Sequence, residues 1–168
     1  GLRFYEELFT ECRRYGIEPV VTLCHFDVPE ALIRKYGAWA DRRLIALYEK
    51  YAATMFDRYR NLVKYWMTFN EINETMNQSE PYHQAGVLFA EGEEHNAVKA
   101  LVSHNMFLAS AKAVQIGHAV DPENKIGCMI QYPTTYPRTC APKDVLAQRF
   151  QMMPNYYYTD VMLSLIHI

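Results

Sequence analysis

The chain has 168 residues, half of them apolar, and carries a formal net charge of −2 at pH 7. These values allow a folded core, and they exclude an intrinsically disordered chain and a nucleic-acid partner bound through a basic surface. No apolar run approaches the roughly 18 residues that a membrane-spanning helix needs, and residues 1–5 lack the shape of a secretory signal peptide. We therefore expect a protein without a membrane partner.

The first part of the chain predicts two helices around a strand. Apolar residues recur at three- and four-residue steps from Leu2 to Cys12, which predicts an amphipathic helix within the first 16 residues. Residues 19–26 form an apolar, β-prone run that predicts a buried strand. Asp41 is suited to cap the next helix, whose apolar stripe extends over residues 44–59.

The same alternation continues along the rest of the chain. A second strand is predicted over residues 65–69, followed by a loop-rich stretch over 73–94. Asn96 is suited to cap a long helix. The run over residues 125–130 predicts a third strand, and a shorter helix is expected to begin near Lys143.

This order of elements indicates an α/β fold with a parallel sheet and helical crossovers. Two architectures fit it, an open doubly wound sheet and a (β/α)8 barrel. The absence of a Gly-rich phosphate loop after any strand disfavours the nucleotide-binding form of the open sheet. A complete barrel needs about 250 residues, whereas about three strands are evident here. We therefore expect a partial (β/α)8 TIM barrel whose exposed sheet edges make the isolated chain unstable.

Polar residues follow two of the predicted strands directly. His25 follows the first strand's apolar run, and Asn70 and Glu71 follow the second. The carboxyl ends of barrel strands form the rim where catalytic residues lie. A Glu at this rim can protonate a glycosidic oxygen, although a Glu at a strand end can equally be a salt-bridge partner. His25 can bind a sugar hydroxyl or serve as a structural loop residue.

The remaining polar residues do not indicate a metal or a cofactor. The four cysteines form no CxxC pair, and without a secretory signal we expect them to be reduced thiols in the cytoplasm. The other histidines lack ligand-like spacing with Asp, Glu or Cys. These are His83, His95, His104 and His118.

Several separated motifs resemble glycoside hydrolase family 1. Residues 22–32 read T-L-C-H-F-D-V-P-E-A-L, similar to the third strand and loop of that family. The family then has Gly-Gly-Trp, where this chain has Ala38 in place of the second glycine. Residues 63–71, V-K-Y-W-M-T-F-N-E, are similar to the family's fourth strand. The resemblance covers residues 1–162 and implies one barrel domain.

Within the family, the details resemble the 6-phospho-β-glucosidases. Simple β-glucosidases usually carry Trp after the histidine and Pro after the catalytic glutamate, where this chain has Phe26 and Ile72. Residues 126–130 and 136–145 are similar to the same branch. The implied substrate is a small-molecule phospho-β-glucoside. A plain β-glucosidase or β-galactosidase of the same family is the alternative.

The resemblance implies a role for each rim residue. Glu71 would be the general acid that protonates the departing glycosidic oxygen, and afterwards the base that activates water, in a retaining mechanism. Asn70 would hydrogen-bond the sugar 2-hydroxyl. His25 would hold the 3-hydroxyl region of the non-reducing sugar. No metal or organic cofactor is implied.

The resemblance also implies that the catalytic pair is incomplete in this chain. The family's nucleophilic carboxylate belongs to a later T/S-E-N-G-like motif, which these 168 residues do not contain. The chain begins at Gly1 rather than Met, and we expect a fragment that lacks both ends of the barrel and is inactive alone. Residues 163–168 depart from the family pattern, which indicates a truncated reading frame or foreign residues. A non-catalytic sugar-binding or unfolded remnant is the other alternative.

Overall fold

The computed structural model describes residues 1–166, in which helices and strands alternate. The elements are α1 (Leu2–Arg14), β1 (Val20–Cys24), α2 (Glu30–Tyr36), α3 (Arg43–Arg58), β2 (Tyr65–Phe69), α4 (Glu74–Asn77), α5 (Tyr82–Ala85), α6 (His95–Val120), β3 (Lys125–Gly127) and α7 (Pro142–Ile166). A single 3₁₀ turn at Ala38–Ala40 separates α2 from α3. None of the helices within this part of the chain is long and apolar enough to cross a membrane.

The three strands form one parallel sheet in the order β1-β2-β3. Cys24 of β1 pairs with Phe69 of β2, and Trp66 of β2 pairs with Ile126 of β3. The carboxyl ends of all three strands therefore lie at the same edge. The outer edges of β1 and β3 have no strand partner among residues 1–166. The predicted three-stranded parallel α/β sheet is confirmed.

Helices α3 and α6 pack together and cover the sheet. The rings of Phe56 on α3 and Trp66 on β2 meet edge to face with centroids 4.9 Å apart. On α6, Gly117 lies so close to the sheet that an added Cβ would stand 2.2 Å from the Cδ1 of Ile126. A residue without a side chain is needed here because the helix and β3 leave no space between them.

Two predicted helix caps differ from the structure. Glu94, not Asn96, caps α6, because its longer carboxylate accepts the backbone N–H groups of both Asn96 and Ala97. The formal N-cap of α3 is Arg42, one residue after the predicted Asp41, although the Asp41 carboxylate accepts the Arg43 N–H at 2.8 Å. At α6 the difference arises because an acidic side chain can satisfy N–H groups two or three residues further on. At α3 the Asp41 carboxylate makes the predicted contact with the helix start, and the cap position differs by one residue only.

The predicted third strand and last helix also have different lengths. β3 ends at Gly127 rather than at residue 130, although the Met129 N–H still donates to the Phe69 carbonyl at 2.9 Å. The last helix, α7, has 25 residues and is not short. It extends into the predicted non-matching tail over 163–168, of which residues 167 and 168 lie outside the described residues.

Candidate active site

The predicted site residues of β1 and β2 meet at the carboxyl edge of the sheet. The Asn70 N–H donates to the Cys24 carbonyl at 3.0 Å, so the hydrogen bonding of β1 and β2 continues one residue beyond β2. His25 and Asn70 are consequently the next residues after a paired Cys24 and Phe69. His25 is exposed, Asn70 is buried and Glu71 is half-buried. The structure therefore brings the three predicted residues to one rim.

The backbone is left-handed immediately after both strands. Phe26 has a φ of 63° and Glu71 a φ of 41°. Among residues 1–166, Ala38 is the only other non-glycine residue with a positive φ. This conformation costs about 1–2 kcal/mol for a residue with a Cβ. Such backbone strain is concentrated at functional sites, so its occurrence at both strand ends supports a functional role for this edge.

Asp27 holds the turn that carries His25. Its Oδ1 accepts the backbone N–H of His25 at 2.8 Å, which closes the chain around Phe26. The rings of His25 and Phe26 meet edge to face, with centroids 5.4 Å apart. The hydrogen bond to Asp27 and the contact with the Phe26 ring therefore both constrain the orientation of the exposed imidazole.

Asn73 links the β2 edge to the segment after β3. Its Nδ2 donates to the Gln131 carbonyl at 2.7 Å, and its Oδ1 accepts the Gln131 N–H at 2.9 Å. Nδ2 also lies 3.2 Å from the Oδ1 of Asn155 on α7. Asn73 is fully buried. Sequence reasoning missed this connection because the partners are 58 and 82 residues away.

An aromatic cluster lies behind the end of β2. Phe69 stacks on Tyr48 of α3 with ring centroids 4.9 Å apart, and Trp39 meets Phe69 edge to face at 5.3 Å. The Tyr48 hydroxyl donates to the Thr68 carbonyl at 2.5 Å. Burial raises the pKa of Tyr48 well above its usual range, so the hydroxyl remains a neutral donor. These rings are buried and act as core, leaving the rim itself polar.

Glu74 is close to Glu71 in sequence but has a different environment. It is buried at the start of α4, where its Oε1 accepts the Asn77 side-chain amide at 2.8 Å and its Oε2 accepts that of Gln78 at 2.5 Å. Lys99 of α6 donates to the Gln78 carbonyl at 2.9 Å and fixes the same turn. Glu74 therefore stabilises its own turn.

Residues 1–166 contain no cluster of three His, Cys, Asp or Glu side chains able to hold a metal ion.

The comparisons with known proteins agree with this geometry. The model of Glycosyl hydrolase family 1 matches residues 1–164. Over 161 residues, the chain is 45% identical to the 6-phospho-beta-glucosidase AscB of Escherichia coli (strain K12) and 46% identical to the aryl-phospho-beta-D-glucosidase BglH of Bacillus subtilis (strain 168). Each alignment covers 96% of this chain and 34% of the relative. A family 1 b-glucosidase from Thermotoga maritima matches with a TM-score of 0.74 and 31% identity, covering 89% of this chain and 32% of that one.

The chain thus spans about a third of the length of the curated relatives that it matches. Its three parallel strands match part of the family's (β/α)8 barrel, which confirms the predicted fold. The predicted resemblance to the phospho-β-glucosidases is confirmed at the level of sequence similarity. The chain belongs to glycosyl hydrolase family 1.

Proposed function

We propose that this chain is the part of a retaining β-glycosidase that carries the general acid/base, Glu71, and that the substrate is a 6-phospho-β-glucoside. The observation that carries the proposal is the juxtaposition at one sheet edge of His25, Asn70 and Glu71, which lie within two residues of the ends of β1 and β2. The membership of the chain in glycosyl hydrolase family 1 supports glycoside hydrolysis as the reaction in which Glu71 and Asn70 act.

In the proposed reaction, Glu71 donates its proton to the glycosidic oxygen as the bond to the anomeric carbon breaks. A carboxylate from the rest of the enzyme attacks that carbon and forms a glycosyl ester. Glu71, now ionised, removes a proton from water, whose oxygen displaces the ester and restores both carboxyl groups. The amide of Asn70 donates to the 2-hydroxyl, a bond that strengthens as positive charge develops on the sugar. His25 binds a neighbouring hydroxyl.

The names of the relatives support a phosphorylated substrate. The proteins from Escherichia coli and Bacillus subtilis that share 45–46% identity with this chain are described as 6-phospho- and aryl-phospho-β-glucosidases. Phe26 and Ile72 stand where simple β-glucosidases usually carry Trp and Pro. A plain β-glucosidase is the second candidate because the Thermotoga maritima enzyme shares 31% identity and the fold. The proposed phosphorylated substrate also supports the proposal that the enzyme acts in the cytoplasm.

An assay of the full-length reading frame that contains this chain tests the proposal. The substrates are p-nitrophenyl β-glucoside and its 6-phosphate, compared by kcat/KM. We expect preference for the phosphorylated sugar. On phenyl 6-phospho-β-glucoside, which has a poorer leaving group, we expect Glu71→Gln to lose about 10²–10⁴ in kcat/KM. Preference for the unphosphorylated sugar would favour the plain β-glucosidase.

The chain of 168 residues alone is proposed to be inactive. A double displacement requires two carboxylates about 5–5.5 Å apart, and the second one is expected outside this chain. Retaining turnover by these residues alone, abolished by Glu71→Ala, would contradict this proposal. The assay of the full-length reading frame, with Glu71→Gln as its variant, separates a catalytic segment from a remnant that only binds sugar.

A further inference from the structure

The backbone of Glu71 is held by hydrogen bonds on both sides of it. Before it, the Asn70 N–H is bound to the Cys24 carbonyl of β1 at 3.0 Å. After it, the Ile72 N–H donates to the Met129 carbonyl at 3.2 Å. The Glu71 carbonyl accepts the Glu74 N–H at 2.9 Å. The left-handed conformation of Glu71 therefore lies between two anchors, one at Cys24 in β1 and one at Met129 in the segment after β3.

Asn73 is the side chain that completes the second anchor. Its carboxamide pairs with both the N–H and the carbonyl of Gln131, at 2.9 and 2.7 Å, in the manner of a backbone bridge between two strands. The contact with Asn155 at 3.2 Å adds α7 to the same connection. Asn73 therefore extends the attachment of the β2 edge beyond the point where β3 ends at Gly127.

The chemistry of an amide suits both bonds that this position makes. One buried residue must present a donor to a carbonyl and an acceptor to an N–H of the same peptide segment. Asp lacks the donor, and Ala leaves both Gln131 groups without this partner. Either change therefore removes at least one of the two bonds that hold the turn after Glu71 to Gln131, whose freed backbone groups can bind water because Gln131 is exposed.

We propose that Asn73 is a positioning residue for the general acid, which it holds in place by fixing the turn after Glu71 to the segment after β3. The proposal depends on the proposed function of Glu71. It predicts in addition that proton donation from Glu71 to the leaving group is sensitive to the Asn73 amide. Displacement of a catalytic group by about 1 Å is enough to cost about 10²-fold in rate.

The test uses the full-length reading frame and a series of aryl 6-phospho-β-glucosides. Phenyl glucosides need protonation of the departing oxygen, whereas 2,4-dinitrophenyl glucosides leave without it. The measured quantity is kcat/KM, which reports bond cleavage and excludes the later attack of water. For Asn73→Ala, we expect a loss of about tenfold or more with the phenyl substrate and of less than about threefold with the dinitrophenyl substrate.

Two further variants separate positioning from a loss of stability. Asn124 is another fully buried asparagine, at the opposite end of the sheet, and its Nδ2 donates to the Gly117 carbonyl at 2.9 Å. Asn124→Ala should weaken folding without any dependence on the leaving group. Asn155→Ala removes only the contact at 3.2 Å between Asn73 and α7 and leaves both bonds to Gln131, so it should show the selective loss to a smaller degree even where Asn73→Ala does not fold.

The outcomes also distinguish this proposal from the proposed function. Equal losses on both substrates, as in Asn124→Ala, would overturn the positioning role of Asn73 while leaving Glu71 as the acid. An absence of the leaving-group effect in Glu71→Gln, or no hydrolysis of any 6-phosphoglucoside by the unaltered enzyme, would overturn the proposed function itself.

Discussion

The Asn70 N–H donates to the Cys24 carbonyl at 3.0 Å, and this bond places the residue that follows β2 beside the end of β1. The two residues are 46 positions apart in numbering, yet the sheet register makes them neighbours. His25 and Glu71 follow them by one residue each. The site is therefore built by strand pairing.

The left-handed backbone at Glu71 leads to the first prediction. Its φ of 41° is unfavourable for any side chain with a Cβ, and glycine removes that cost. We expect Glu71→Gly to be more stable than Glu71→Ala by about 1 kcal/mol. The measurement is urea unfolding of the 168-residue chain, followed by the fluorescence of its two buried tryptophans, Trp39 and Trp66. Sucrose can be added because it stabilises the folded state, so that the folded baseline of the unfolding curve is well defined.

A matched pair of substitutions in a helix gives the control. Lys50 is exposed in the interior of α3, where glycine is less favourable than alanine by about 1 kcal/mol. Lys50→Gly should therefore be less stable than Lys50→Ala. If Gly is also the less stable replacement at Glu71, the left-handed conformation there is not a source of strain.

The second prediction concerns the turn that carries His25. Because Asp27 Oδ1 accepts the His25 N–H at 2.8 Å, Asp27→Ala should release the turn and weaken sugar binding. We expect KM of the full-length enzyme to rise about tenfold, equivalent to about 1.4 kcal/mol, with a smaller change in kcat. Asp27→Asn retains an oxygen acceptor and should stay within about threefold of the unaltered enzyme. Equal effects of both variants would show that the negative charge, and not this bond, is required.

The rim residues could be predicted from the sequence because their signals are local. An apolar run followed directly by His25, or by Asn70 and Glu71, identifies a strand and its end without knowledge of the rest of the fold. Parallel pairing then brings the ends together, since parallel strands share an edge. The functional roles came from the family resemblance, because spacing alone also allows a salt bridge or a loop histidine.

The parts that were missed depend on distant partners or competing local contacts. The Asn73 connection joins segments 58 and 82 residues apart, and one sequence contains no signal for such a pair. The cap of α6 differs from the prediction because Glu94, two residues earlier, accepts the N–H groups of Asn96 and Ala97, so the helix begins before Asn96. β3 was predicted too long because its apolar run continues after the regular pairing ends at Gly127. Hydrophobicity alone does not mark that end.

The third prediction concerns stability at alkaline pH. Burial, with a smaller contribution from the charge of Asp27, raises the pKa of Cys24 from 9.0 to about 12. Between these values the unfolded chain loses the thiol proton and the folded chain keeps it. The unfolded state binds fewer protons there, so stability falls as pH rises above 9. One such thiol contributes a decline of about 1 kcal/mol between pH 8 and pH 10.

Cys24→Ala isolates this contribution. The variant loses the thiol and should be somewhat less stable at pH 8, but its free energy of unfolding should fall less steeply towards pH 10. Urea midpoints at pH 8, 9 and 10 measure the difference. Cys140 is exposed, and Cys140→Ala should leave the slope unchanged. An identical decline in the Cys24→Ala variant would show that this thiol does not titrate differently in the two states.

The last prediction concerns the close contact of α6 with the sheet. A Cβ at Gly117 would stand 2.2 Å from Ile126 Cδ1 and 3.0 Å from Phe56 Cζ. Alanine is the better helix former by about 1 kcal/mol, but the forced displacement costs about 1–3 kcal/mol. We expect Gly117→Ala to destabilise the chain by up to about 2 kcal/mol in urea unfolding, the balance of these two effects.

A double substitution identifies the atom responsible for the Gly117→Ala effect. Ile126→Val removes Cδ1, the atom nearest to the new methyl group, and by itself costs about 0.5–1.5 kcal/mol as a core truncation. In the Ile126→Val background, Gly117→Ala should cost less than in the unaltered chain, because the space vacated by Cδ1 accepts the methyl. The two substitutions would then be non-additive by about 1 kcal/mol. Additive losses would place the strain elsewhere, at the Phe56 ring that also faces this position.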